Sequence, residues 1–306
     1  LALILAMLFT AIVTFIIFLV YSAPYFVKPI FKRDELIKYY KYSISQLPSD
    51  VSGWFVAASD RLLLNRMQGA YSAGVYGMGN TLGQIPSMLY HSINKAYVPY
   101  VFRHYKEAEN GREDSLKEVA DTTLKVECIF TFVVVSLIIL SNNIVNLLES
   151  RYIDSAVIMP LVLFAVWIDC NRIIFMNPLA YNVKYIKIKS FIWVFAAVLD
   201  VCLNFYLIPR YSVYGACASL IISYGVTCLL ILYFSNKALE VGYDIKSIIK
   251  VIFISGVFAM SYFIGSESWV LLIKVPLIFL YGGIIIYEIN MQKEVVSMKD
   301  EMVSMK

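Results

Sequence analysis

Long apolar runs separated by short polar stretches repeat along the whole 306-residue chain. A bilayer core needs about 20 apolar residues for each helical crossing, and on that rule the pattern predicts nine spans. These are 1–22, 44–66, 72–98, 118–140, 154–179, 187–208, 213–235, 247–265 and 269–290. The runs lack the period-2 alternation of an outer-membrane barrel, and backbone groups in lipid must be hydrogen-bonded within their own segment. The predicted fold class is therefore all-α, a polytopic helical bundle in a membrane.

Basic residues alternate between the polar stretches. Eighteen Lys and Arg lie in the odd-numbered gaps and the tail, against three in the even-numbered gaps: Arg66, Arg151 and Arg210. Because Lys and Arg accumulate on the cytoplasmic side of a membrane, we expect residue 1 outside and the C-terminus in the cytoplasm. The alternation also supports the count of nine spans, since a missed span would reverse it.

The composition narrows the class of protein further. Hydrophobic residues make up 60% of the chain and charged residues 16%, whereas soluble domains carry about 25% charged residues. The net charge of +4 is spread over short loops, which excludes nucleic-acid binding. There is no P-loop, no CxxC and no metal-ligand spacing, and the two histidines are His91 and His104. We therefore expect no metal, no cofactor and no enzymatic activity.

Two regions of the chain are predicted to lie outside the membrane spans. Segment 24–43 has two prolines, five basic residues and an amphipathic pattern, so we expect a linker along the cytoplasmic headgroups. Residues 291–306 form a polar cytoplasmic tail. The chain starts at Leu1 within an apolar run and without a basic leader, from which we expect a fragment whose earlier spans are missing. The alternative is a complete protein with an unusual start.

Charged side chains inside spans are costly and indicate a transport pathway or a buried pair. Asp169 and Arg172 lie near the middle of span 154–179, on one helical face at an i, i+3 spacing, with Asn171 beside them. They form either a self-neutralised ion pair that allows insertion, or a cavity-lining pair that binds an anionic headgroup or a coupling cation.

Two more spans carry acidic groups. Span 44–66 contains Asp50, Asp60 and Arg61 among several serines, so we expect its polar face to point to the bundle interior or a cavity, with Asp50 and Asp60 on the same face. In span 187–208, Asp200 and Asn204 form an i, i+4 polar stripe.

Span 72–98 contains small residues and a proline. Gly79 and Gly83 form a GxxxG pair that allows close helix approach. Pro86 lies near the middle of the span and predicts a kink there, because it removes a backbone hydrogen bond. Gly83 and Pro86 provide either a packing kink or a hinge for conformational change.

Two stretches of the chain resemble polysaccharide flippases of the Wzx type. The first, residues 59–86, matches at Asp60, Arg61, Gly69, Gly74 and Tyr76. The second, residues 203–224, matches at Asn204, Ile208, Pro209, Arg210, Gly215, Ala216, Ala218 and Ser223. Two positions depart from the pattern: Asp200 stands where such sequences often have Asn, and Ser212 where they commonly have Gly.

The resemblance implies an organisation. The wider group, the multidrug/oligosaccharidyl-lipid/polysaccharide exporter superfamily, is built of two six-helix lobes, often with two extra helices. Residues 1–23 would be the last helix of an otherwise missing N-terminal lobe, and 24–43 the inter-lobe linker. Residues 44–290 would be the C-terminal transmembrane lobe, and 291–306 the cytoplasmic tail.

The resemblance also implies a function, the alternating-access translocation of undecaprenyl-diphosphate-linked oligosaccharide across the bacterial cytoplasmic membrane. The products would be O-antigen of lipopolysaccharide, capsule or exopolysaccharide. Expected partners are the lipid-linked oligosaccharide, membrane lipids and other polysaccharide assembly proteins, with coupling to a proton or sodium gradient. We expect cavity contacts from Arg61, Asn171, Arg172 and Asn204, ion coupling or gating at Asp50, Asp60, Asp169 and Asp200, and a hinge at Gly83 and Pro86.

Other functions stay open at this point. One is a different transporter of the superfamily, a lipid II flippase or a cation-coupled drug exporter, although Arg172 in mid-span argues against the more apolar cavity of an exporter. Another is a membrane glycan polymerase. Such enzymes usually carry a long external loop, and the largest outside loop here, about 141–153, is short.

Overall fold

The computed structural model describes residues 2–25, 33–112, 114–148, 150–264 and 271–304, and every regular element within these ranges is helical. The α-helices are α1 (Ala2–Ser22), α2 (Arg33–Gln68), α3 (Ala70–Gly83), α4 (Ile85–Glu109), α5 (Asp114–Val145), α6 (Ser155–Phe175), α7 (Asn177–Tyr181), α8 (Ile186–Ala238), α9 (Ile245–Ala259) and α10 (Leu271–Ser304). The predicted all-α class is confirmed.

The chain divides into two compact units, Leu1–Ile44 and Ser45–Lys306. The first contains α1, which exposes large apolar side chains such as Phe9 and Val20. Of the predicted linker, residues 26–32 lie outside the described residues, and the segment from Arg33 onward already belongs to α2.

Five described helices are long and apolar enough to cross a membrane. They cover Leu5–Ser22, Asp114–Val145, Ser155–Phe175, Ile186–Ala238 and Lys246–Phe263, and a shorter apolar helix covers Leu272–Tyr287. The predicted spans 44–66 and 72–98 fall in the more polar helices α2, α3 and α4, which do not belong to this group of five. Length and apolarity therefore do not give nine spans, because α2 to α4 are more polar, α8 counts once for two predicted spans and the last apolar helix is shorter.

Helix α8 is a pair of antiparallel helices. A straight helix of its 53 residues would be about 80 Å long, far beyond a ~30 Å hydrocarbon core. Instead the backbone leaves helical geometry at Ser212, with φ 52° and ψ −128°. The chain then runs back, since the Ser223 hydroxyl donates to the Ala196 carbonyl oxygen at 3.0 Å. The pair contains both predicted spans, 187–208 and 213–235.

Helix α6 is central to the second unit and packs against α3, α5 and α8. The GxxxG pair of α3 makes the α3–α6 contact close. A Cβ atom built on Gly79 would lie 2.7 Å from Cγ2 of Ile158, and one built on Gly83 would lie 2.6 Å from Cγ1 of Val162. These distances leave no room for a methyl group, so the close approach predicted from the sequence is confirmed.

The kink predicted at Pro86 corresponds to a one-residue break in the helix. Helix α3 ends at Gly83 and α4 begins at Ile85, while Gln84 between them keeps right-handed helical angles, φ −82° and ψ −7°. Pro86 lies in the first turn of α4 and has no backbone N–H to donate to the Leu82 carbonyl oxygen, which favours a break at this point. The break is at Gln84, whose backbone N–H donates to the Asn80 carbonyl oxygen. The role of Gly83 and Pro86 as a hinge stays a prediction.

Candidate functional site

The part of α2 that belongs to the second unit, from Ser45 onward, buries several polar side chains and exposes large apolar ones. Ser52, Ser59 and Asp60 are buried, whereas Trp54 and Leu62 are exposed. Polar groups on a membrane helix avoid lipid because they lose their hydrogen bonds to water there. The burial of this face inside the bundle agrees with its pattern in the sequence.

Asp60 is the centre of a hydrogen-bonded cluster built from α2, α3 and α8. Its Oδ2 accepts a hydrogen bond from the Tyr76 hydroxyl at 2.6 Å, and its Oδ1 accepts one from Nδ2 of Asn204 at 2.7 Å. The same amide nitrogen donates to Oδ2 of Asp200 at 3.1 Å. All four side chains are at most 2% exposed. We call these four residues the Asp60–Asp200 cluster.

The Asp60–Asp200 cluster has more acceptors than donors. Oδ1 of Asp200 and Oδ1 of Asn204 are buried without a hydrogen-bond partner among the described residues. The neighbouring Arg61 is exposed, and its guanidinium donates to the Gly77 carbonyl oxygen at 3.4 Å. Carboxylate and amide oxygens are ligands for small hard cations, and a carboxylate also binds a proton. The cluster is therefore chemically suited to a proton or a monovalent cation.

The cluster differs from a multivalent metal centre. Within the described part of the chain, no group of three or more His, Cys, Asp and Glu side chains could hold a metal ion. Asp60 and Asp200 provide two carboxyl groups, and the other members, Tyr76 and Asn204, are uncharged at neutral pH.

Asp50 lies apart from the cluster. It is exposed and interacts electrostatically with Lys189 of α8, whereas Asp60 is buried. The expectation that Asp50 and Asp60 share a face is wrong. Ten residues make about 2.8 helical turns, which leaves their side chains about 80° apart around the axis.

Arg172 is enclosed where α6 meets α8. Its guanidinium carbon lies 4.0 Å from the centroid of the Trp193 ring and 4.7 Å from that of the Tyr224 ring. One terminal nitrogen donates to Oγ1 of Thr227 at 3.3 Å, and the other pairs with the Asp169 carboxylate. The ion pair suggested by the i, i+3 spacing is therefore present.

The burial of this pair bears on its two interpretations. The Arg172 side chain is 1% exposed and that of Asp169 is 21% exposed. A guanidinium that is already paired and covered by two aromatic rings agrees with self-neutralisation. Contact between Arg172 and an anionic substrate would require these rings to separate, and it stays a prediction.

A cavity of about 620 Å³ lies between α6, α8 and α9. Its wall is mostly apolar and includes Trp167, while Asn171 supplies a polar side chain within it. Lys237 and Glu240 line it at the end nearest the α8–α9 loop. Tyr243 also lines it, and burial raises the pKa of this hydroxyl to about 12, so it is neutral at physiological pH. The cavity is thus amphipathic.

Sequence reasoning missed the aromatic partners of Arg172. Trp193 and Tyr224 come from the two halves of α8, 31 positions apart, and only the reversal at Ser212 brings them together. A signal was present, since an arginine in mid-span needs partners from neighbouring helices. The sequence does not indicate which of its many aromatic residues would provide them.

Comparison with protein families gives a match over residues 1–158 to the family described as polysaccharide biosynthesis protein. The match covers more than half of the 306 residues. The chain belongs to the polysaccharide biosynthesis protein family. No curated protein and no solved structure matches it.

Family membership places the protein in polysaccharide biosynthesis, and its apolar helices make it a membrane protein. The matched range contains Asp60 and Tyr76, whereas Arg172, Asp200 and Asn204 lie beyond it. The Asp60–Asp200 cluster therefore combines Asp60 and Tyr76, which lie inside the matched range, with Asp200 and Asn204, which lie outside it.

Proposed function

We propose that the protein is a transporter, rather than an enzyme, which moves undecaprenyl-diphosphate-linked oligosaccharide units across the bacterial cytoplasmic membrane. The observation that carries the proposal is the Asp60–Asp200 cluster in a membrane protein of polysaccharide biosynthesis. Acidic groups deep in a helical bundle are costly and mark ion or substrate pathways. The resemblance of residues 59–86 and 203–224 to Wzx-type flippases supports the same function.

The proposed mechanism is alternating access. The glycan and diphosphate cross through a polar cavity while the polyprenyl tail stays in lipid, because a charged headgroup cannot enter hydrocarbon at low cost. Arg61 is exposed beside the cluster and provides a planar donor for diphosphate oxygens. In this proposal the C-terminus lies in the cytoplasm, as the loop charges indicate.

The Asp60–Asp200 cluster supplies the coupling in this mechanism. Two carboxylates that share the Asn204 amide repel each other in apolar surroundings, and a bound H⁺ or Na⁺ relieves that repulsion. Binding therefore favours the arrangement in which α2 lies against α8. Release on the other side of the membrane favours the alternative arrangement, since a ligand shifts an equilibrium by its difference in affinity.

The proposal is tested by deleting the gene and restoring it on a plasmid. We expect the deletion to remove surface polysaccharide and to accumulate the complete lipid-linked unit inside the cell. Asp60→Asn should fail to restore the surface polymer, while Asp114→Asn, at an exposed carboxylate in the first turn of α5, should restore it. Normal surface glycan with altered drug tolerance would identify an exporter instead, and surface glycan limited to single units would identify a polymerase.

A further inference from the structure

Glu127 of α5 is a buried carboxyl group that the Asp60–Asp200 cluster does not include. Its side chain is 5% exposed, and neither Oε1 nor Oε2 has a hydrogen-bond partner among the described residues. The side-chain amide of Asn171 interacts with Glu127 without reaching hydrogen-bond geometry. The Asn171 amide nitrogen, however, donates to the Trp167 carbonyl oxygen at 2.9 Å. Glu127 therefore lacks the donors that usually hold a buried carboxylate.

The titratable groups that interact with Glu127 are phenols and thiols, and two of them, Cys170 and Cys228, also interact with the Asp169–Arg172 ion pair. Tyr90 and Tyr97 face it from α4, Cys170 from α6 and Cys228 from α8. No cationic side chain among the described residues contributes to the electrostatics of Glu127. An ionised carboxylate without donors or a countercharge is unfavourable by several kcal/mol inside a protein. The neutral acid is the form that this environment accommodates.

The cavity between α6, α8 and α9 reaches two residues that interact with Glu127, although Glu127 itself does not line it. Asn171 and Cys228 both line the cavity, and both are neighbours of Glu127. The same cavity carries Lys237 and Glu240 near the α8–α9 loop. The cavity therefore extends from the α8–α9 loop to the residues beside Glu127.

We propose that Glu127 is a proton-binding site, separate from the Asp60–Asp200 cluster, which exchanges its proton with water through the cavity lined by Asn171. The carboxylic acid gives its proton to a cavity water, leaving a carboxylate and a hydronium ion, and the reverse step restores the acid. A carboxyl group that gains charge in apolar surroundings draws in water or a cation. Proton release therefore favours a conformation in which the helices around Glu127 open.

Infrared spectroscopy of the purified protein in lipid tests the binding site. We expect wild type at neutral pH to show a protonated carboxyl stretching band that is lost in Glu127→Gln and shifted in Glu127→Asp. Glu118→Gln is the matched control on the same helix, since Glu118 is exposed and paired with Arg112 at 3.3 Å. The band should persist there. A spectrum in which neither Glu127 variant alters a protonated carboxyl band would overturn the proposal.

Transfer into D₂O tests the route. Ile252 and Ile249 of α9 are both exposed, but Ile252 lines the cavity and Ile249 does not. We expect Ile252→Trp to slow the deuterium shift of the Glu127 band and Ile249→Trp to leave it unchanged. Equal exchange in both variants would overturn access through the cavity. Because neither measurement involves a transported lipid, their outcomes are independent of the proposed transport function.

Discussion

Nδ2 of Asn204 donates a hydrogen bond to Oδ1 of Asp60 at 2.7 Å, although the two residues are 144 positions apart. The bond joins α2 to the first half of α8, and the same nitrogen also reaches Asp200 at 3.1 Å. Hydrogen bonds to charged groups contribute about 1.5–3 kcal/mol when buried. Asn204 therefore stabilises the contact between these helices as well as the pair of carboxyl groups.

Asn204→Leu should lower the free energy of unfolding by about 2–4 kcal/mol, because it leaves two buried carboxyl groups without their shared donor. Thermal unfolding in detergent would measure the effect. Asn236→Leu, at an exposed position of the same helix, is the control and should change the melting temperature little. Equal melting temperatures for the two variants would show that the amide does not hold the cluster.

Gly79→Ala and Gly83→Ala should each destabilise the protein by about 1–3 kcal/mol, which is typical of overpacking. The new methyl groups would meet Ile158 and Val162 of α6 at 2.7 Å and 2.6 Å. Gly74→Ala is the matched control in α3, since no atom lies within 4 Å of its built Cβ. It should be neutral or slightly stabilising, because alanine favours helix. Loss of stability in Gly74→Ala alone would contradict this packing.

Ser212→Gly should stabilise the protein by about 1 kcal/mol. Ser212 has φ 52°, a conformation that costs a non-glycine residue about 1–3 kcal/mol, part of which is offset by the greater backbone freedom of glycine when unfolded. Ser212→Ala keeps a Cβ atom and should give no such gain. A higher melting temperature for Ser212→Gly than for Ser212→Ala would support the strained turn, and the opposite order would contradict it.

Asp169 and Arg172 should show a favourable coupling in a double-mutant cycle. Asp169→Ala leaves a buried guanidinium without its countercharge, so we expect a loss of about 3 kcal/mol, reduced somewhat because Asp169 is 21% exposed. Adding Arg172→Met should recover part of that loss, since methionine fills the space without charge. Unfolding in detergent measures all three variants. Additive effects of the two substitutions would contradict an energetically important pair.

Much of the fold follows from the apolar pattern, but the polar helices do not. The apolar runs of α5, α6 and α9 are long enough to be recognised in the sequence as membrane spans. Helices α2 to α4 carry serines, charges and prolines, so hydropathy gives neither their boundaries nor the break at Gln84. The reversal of α8 was predicted, since the gap with Arg210 separates spans 187–208 and 213–235, whereas the non-helical backbone of Ser212 was not.

Individual residues of the candidate site could be predicted from the sequence, but the contacts between them could not. Asp60, Asp200 and Asn204 could be singled out because polar groups in apolar spans are costly. Their meeting depends on how α2 packs against α8, which a single sequence does not specify. The same limit explains the error over Asp50, since an approximate helical period placed it with Asp60 although its side chain is exposed.

Transport by the purified protein in liposomes tests the central claim most directly. Vesicles would carry undecaprenyl-diphosphate-linked oligosaccharide in the inner leaflet, and an external glycosidase would report its arrival outside under an imposed H⁺ or Na⁺ gradient. We predict gradient-dependent arrival with wild type and its loss in Asp60→Asn and Asp60→Ala. Arrival at the rate of protein-free vesicles, or at the same rate in wild type and both variants, would contradict the account.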